Sequence, residues 1–162
     1  MVWLWILIGL AVVIGVVILS YYNRFQILEN RIDNSLSQIN VQLKRRADLI
    51  PNLVKTVKGY VKHEKDAIKK VTDARKEMMK YGGDEDLGKK VQADEKLQSA
   101  LKNLFAIAEG YPDLKANQNF LQLQNELTTT EDKIAYARQH FNDSVLTFNN
   151  LCETFPGTMF AN

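Results

Sequence analysis

Residues Val2 to Leu19 read VWLWILIGLAVVIGVVIL, with no charged side chain among them. At about 1.5 Å per helical residue the run covers roughly 27 Å, close to the hydrocarbon thickness of a bilayer. A backbone in lipid has no water to bond, so this run is predicted to be a helix that satisfies its own amides. A cleaved signal peptide would need a basic leader, a shorter apolar core and a small-residue cleavage site. Here the apolar core starts at Val2 and runs into Ser20-Tyr21-Tyr22-Asn23-Arg24. Trp3 and Trp5 at one end, with Tyr21 and Tyr22 at the other, match the aromatic belts of a spanning helix. The expectation is an uncleaved transmembrane anchor over residues 1–22. Arg24 and Arg31, followed by Lys44, Arg45 and Arg46, flank one side of it. The positive-inside rule then puts the N-terminus outside and the body in the cytoplasm.

The rest of the 162-residue chain is one domain of ordinary size, residues 23–157, with a short tail at 158–162. The lone cysteine, Cys152, excludes an internal disulfide framework. Net charge is only +2, but it is unevenly spread. Lys44 to Lys80 holds twelve basic and five acidic residues, and residues 81–162 hold seven basic and twelve acidic ones. A basic element facing acidic ones is therefore expected. Pro51, Pro112 and Pro156 sit at expected helix boundaries, and the long intervals rich in Lys, Gln, Leu and Ala point to an all-α body.

Apolar spacing predicts four helices. The first, 23–47, carries Phe25, Leu28, Ile32, Leu36, Ile39 and Leu43 at steps of three and four, and no breaker separates it from the anchor. A break is expected at Ala47-Asp48-Leu49-Ile50-Pro51-Asn52, with Asp48 capping a second helix and Pro51 in its first turn. That second helix, 50–81, has a seam of Ile50, Val54, Val57, Val61, Glu64, Ile68, Val71, Arg75 and Met78. Glu64 and Arg75 read as a polar layer that sets register, and Gly59 as a point of close helix approach. Gly82-Gly83 ends the helix and Asp84-Glu85-Asp86 caps the next. The third helix, 86–110, stops at Gly110-Tyr111-Pro112, where Gly110 suits a left-handed cap. The fourth, 113–155, repeats Phe120, Leu127, Ile134, Phe141, Phe148 and Phe155 at intervals of seven, with a weaker line of Leu123, Thr130, Ala137, Ser144 and Leu151. The predicted fold is all-α: an N-terminal transmembrane helix continuous with a long antiparallel up-and-down four-helix bundle.

Several blocks in this frame resemble the bacterial LemA family. They are Val41-Gln42-Leu43-Lys44-Arg45-Arg46-Ala47-Asp48-Leu49-Ile50-Pro51-Asn52-Leu53-Val54 with Thr56 to Tyr60 and His63-Glu64, then Leu104-Phe105-Ala106 with Ala108 to Asn117 and Phe120 to Gln124. Tyr136-Ala137-Arg138, Phe141-Asn142-Asp143 and Glu153-Thr154-Phe155-Pro156 match as well. The resemblance implies a single-pass bacterial inner-membrane protein with an antiparallel helical bundle. It brings no catalytic residue and no cofactor. The family continues past Phe155-Pro156 with a further aromatic tail, so a short or truncated member is expected.

Chemistry is sparse. His63-Glu64 opens like a zincin helix, but Ala67 stands where a second histidine is required. His63 and His140 read as surface residues, and Cys152 as an inert small hydrophobe. Asp84-Glu85-Asp86 lacks the spacing of a calcium loop. No catalytic, cofactor-binding or metal-ligating residue is therefore assigned, and no cofactor is expected. The interaction surface expected instead is basic: Lys44, Arg45, Arg46, Lys55, Lys58, Lys62, Lys65 and Lys69. It would pair with acidic neighbours in the bundle, or meet an acidic protein or an anionic leaflet. Without interleaved aromatics it does not suit nucleic acid. The expected function is a non-enzymatic membrane scaffold or adaptor that self-associates, with Gly9 and Gly15 letting anchors approach. The alternative is a regulatory subunit that controls a membrane enzyme or transporter through the basic helix.

Overall fold

The computed structural model describes residues 1–61, 63–81 and 87–160. Among these residues every regular element is helical: α1 (Val2–Lys58), α2 (Lys65–Met79), α3 (Leu87–Ala108), α4 (Pro112–Lys115) and α5 (Gln118–Glu153), then a 3₁₀ turn at Gly157–Met159. The chain forms two compact units. One comprises Met1–Ser37 with Ala137–Asn162, and the other Gln38–Tyr136.

The break expected at 47–52 is absent, because α1 continues through Pro51 to Lys58. A proline inside a helix has no N–H to give to the carbonyl four residues back. That carbonyl belongs to Ala47, and it accepts instead from Arg75 Nε of α2 at 2.7 Å. Arg75 thus supplies the donor that Pro51 lacks, and the helix survives. Gly59, placed by sequence inside a second helix, in fact follows the last residue of α1. The chain turns there through bonds from Gly59 N to Thr56 O and from Val61 N to Val57 O. The seam read from Ile50 to Met78 therefore spans two helices, and its regular steps cross the turn between them.

Within the unit Gln38–Tyr136, pairings fix the helix directions. Lys90 Nζ donates to Asn40 Oδ1 at 2.7 Å and Arg46 Nη1 to Asp94 at 3.0 Å, so α1 and α3 run parallel. Arg46 also meets Glu131, whereas Tyr60 meets Asn117, so α1 and α5 run antiparallel. Lys96 Nζ of α3 binds Glu77 Oε1 of α2 at 2.7 Å, and this hydrogen bond raises the Lys96 pKa. Here the acid lies on the basic helix, the reverse of the expected pairing. The core is built from Leu43, Ala47, Ile50, Leu53 and Val57 of α1, Val71 and Met78 of α2, Leu97, Leu101 and Leu104 of α3, and Phe120, Leu127 and Ile134 of α5.

The expected boundaries shift at two more places. Gly110 turns the chain after α3 without a left-handed conformation, since no described glycine has a positive φ. Pro112 then opens the one-turn α4, and α5 begins afresh, with Phe120 N donating to Asn117 Oδ1 at 3.0 Å. The expected caps at Gly82-Gly83 and Asp84-Glu85-Asp86 lie outside the described residues.

In the other unit, α1 and the later part of α5 are again antiparallel, with Phe25 edge-on to Phe148 and Ser35 Oγ 3.2 Å from His140 Nδ1. Leu28, Ala137 and Leu151 are buried there. The seven-residue line drifts outward along α5: Phe120, Leu127 and Ile134 are buried, Phe141 and Phe148 half-buried, and Phe155 is 82% exposed. A straight helix turns about 20° per heptad away from a strict repeat, so the line of Thr130, Ala137, Ser144 and Leu151 becomes the buried one. At the opposite extreme, the apolar start of α1 buries nothing: its window of highest hydropathy is 0% buried. An apolar surface this large is not left in water by soluble monomers, and its length and composition suffice to cross a membrane. The chain has the build of a membrane protein.

Candidate functional site: a carboxamide-lined groove

In the unit Gln38–Tyr136, the last turns of α1 and the first turns of α5 leave an open groove of about 640 Å³. Leu49, Asn52, Lys55, Thr56 and Tyr60 form one wall, and Asn117, Asn119, Gln122, Leu123 and Glu126 the other. The α1 wall exists because Pro51 does not stop the helix: Asn52, Lys55 and Thr56 follow it on the same continuous face. The other wall is set by Asn117, whose side chain works at both ends. Its Oδ1 caps α5, and its Nδ2 donates to the Tyr60 hydroxyl at 2.9 Å. Thr56 Oγ1 donates to Asn52 O at 3.0 Å, and Gln122 Nε2 to Glu126 Oε1 at 3.1 Å.

The same unit holds a charge cluster centred on a buried arginine. Arg46 is only 3% exposed. Its Nη1 reaches both carboxylate oxygens of Asp94, at 3.0 and 3.1 Å, and its Nη2 lies 2.5 Å from Glu131 Oε2. Gln98 also donates to Glu131. One arginine on α1 thereby ties α3 and α5, and the fork geometry of the guanidinium specifies their register. The cost of leaving water is offset only while both carboxylates remain in place.

The expected basic surface is dispersed and reassigned by this fold. Arg46 is buried beside Ala47 and belongs to the cluster, not to the surface. Lys44 and Arg45 are exposed, with Arg45 3.9 Å from Glu126. Lys55 and Lys58 are exposed on α1, not on a second helix, and Lys65 and Lys69 are exposed on α2. Lys62 lies outside the described residues. Of the described members of this set, Lys55 lines the groove. Sequence reading missed Asn52, Tyr60, Asn117, Asn119 and Gln122 as a group. The available signal was that two separated blocks of family-like sequence, 41–64 and 104–124, each contribute one wall.

The groove offers four carboxamides, two hydroxyls, one amine and one carboxylate. Such groups can hydrogen-bond to polar backbone or side-chain groups. Among the described residues, no three His, Cys, Asp or Glu side chains gather as metal ligands.

Residues 35–162 match the model of the LemA family. Among curated relatives, the magnetosome protein MamQ of Magnetospirillum gryphiswaldense is 29% identical over 167 residues, covering 89% of this chain and 61% of that protein. Protein LemA of Metamycoplasma hominis is 29% identical over 127 residues, covering 78% of this chain and 57% of its own. Magnetosome protein MamQ 2 of Paramagnetospirillum magneticum is 27% identical over 167 residues, again 89% and 61%. The chain thus spans about three fifths of the length of these relatives.

Proposed function

Because the chain belongs to the LemA family, we propose that it is a non-enzymatic membrane-anchored adaptor that presents the carboxamide groove to a partner protein. One observation carries this reading. The helix whose first turns are apolar and unburied is the same unbroken helix, Val2–Lys58, whose last turns form a groove wall. The lining suits an extended polar peptide, whose amides pair with Asn and Gln side chains. Exposed Lys44, Lys55 and Lys58 favour an acidic partner or leaflet on the same side. In this reading the N-terminus is outside, the body is cytoplasmic at a bacterial inner membrane, and copies self-associate through the anchors.

Membrane attachment is tested by alkaline extraction of membranes from cells producing the full chain or a chain lacking residues 2–19. The full chain should stay with the lipid and the shortened one should be released. Release of both would refute the anchor. The adaptor role is tested by proximity labelling from the full chain. A labelled set that persists after Asn52→Asp and Gln122→Glu substitutions would refute recognition by the groove.

A further inference from the structure

The unit Met1–Ser37 with Ala137–Asn162 holds a second unassigned feature. Phe160 stacks on Tyr21, with ring centroids 5.8 Å apart and planes 22° from parallel. Tyr21 lies two residues past Leu19, hence about 3 Å further along the helix axis. If Val2–Leu19 crosses the bilayer, the Tyr21 ring stands in the interfacial layer, and the stack fixes Phe160 at that height. Met159, next to Phe160 in the chain, is 70% exposed, and Phe155, five residues before Phe160, is 82% exposed. Beside them opens a groove of about 490 Å³, lined by Ile18, Tyr22, Phe25, Phe148, Cys152 and Phe160 on its apolar side and by Gln26 and Glu29 on its polar side. Ile18 belongs to the apolar run itself, so the groove begins where acyl chains end.

We propose that the C-terminal turn, with Phe155, Met159 and Phe160, is a second membrane contact, inserted into the interfacial lipid of the leaflet from which α1 emerges at Tyr21. The occupant is lipid because the feature sits at the height of the lipid boundary. Aromatic and thioether side chains with a polar backbone rim suit that boundary, where an apolar body and a wet edge are both satisfied. The contact would hold the end of α5 against the membrane as well as the start of α1, and so limit rotation of this unit about the anchor. The turn folds back closely on α5: a Cβ on Gly157 would fall on the Leu151 carbonyl oxygen, so only glycine permits this return.

This inference rests on the anchor reading, and the test separates the two. The full chain carrying Cys152→Ala receives one nitroxide label, at Met159→Cys, Val12→Cys or Lys65→Cys. Each variant is reconstituted into vesicles of phosphatidylethanolamine and phosphatidylglycerol. Accessibility to oxygen and to a water-soluble nickel chelate then gives label depth. The label at 12 should lie deep in hydrocarbon and the label at 65 in water. The label at 159 should lie roughly 5–10 Å into the headgroup and acyl boundary, the depth of interfacial segments. A label at 12 in lipid with one at 159 as exposed to nickel as that at 65 overturns the second contact and leaves the anchor standing. A label at 12 in water overturns both. Phe155→Cys, labelled in the same way, should report the same side of the boundary as 159.

Discussion

Pro51 takes away the amide that would serve the carbonyl of Ala47, and Arg75 gives one back. The two residues should therefore be coupled. Arg75→Met leaves that carbonyl unpaired and should cost about 1–3 kcal/mol. In a Pro51→Ala background the helix can satisfy its own carbonyl, and the same substitution should cost clearly less. Denaturant unfolding of the four members of this cycle, in detergent, measures the difference. Additive costs would show that Arg75 is not replacing the missing donor. Arg46 makes a second residue-scale prediction. Arg46→Met takes the guanidinium away from Asp94 and Glu131 and should destabilise by about 3–5 kcal/mol, while Arg46→Met with Asp94→Leu and Glu131→Leu should recover most of that loss. Neither role was visible beforehand. Arg46 read as one of three consecutive surface cations, and only the helix phase, with Leu43, Ala47 and Ile50 buried around it, turns it inward.

At the scale of elements, the all-α class and the long first helix were legible because apolar spacing and the near absence of proline report helix directly. Boundaries were not, wherever a distant residue settled the matter. Pro51 is a local stop signal that loses to Arg75 on another helix. Gly59 is an ordinary interior glycine until the fold requires a turn there. The start of α5 was recoverable, since Asn117 is a strong N-cap residue and stands three positions before the amide of Phe120. Asn117→Ala removes that cap and the bond to Tyr60 together. It should cost about 1–2 kcal/mol and raise hydrogen exchange in the first turn of α5. Unchanged protection at Phe120 would contradict the assignment. At the other end, Gly157→Ala should loosen the final turn, with faster exchange at Thr158 and Met159 while α5 stays protected. Uniform exchange across both would show that the turn is not held by this close return.

For the whole molecule, the candidate site was hidden because its walls lie far apart in sequence and carry mostly uncharged polar groups. Charge drew the reading to lysines, whereas the fold assembles amides. In the proposed adaptor, the start of α1 holds the chain to a membrane and the groove near the end of α1 engages another protein. Photocrosslinking from position 122 in intact membranes tests this most directly, comparing the full chain, the chain lacking residues 2–19 and a Tyr60→Ala variant. The full chain should give one discrete protein adduct that is strongly reduced in both altered chains. No adduct, or one equally strong in all three, would contradict it.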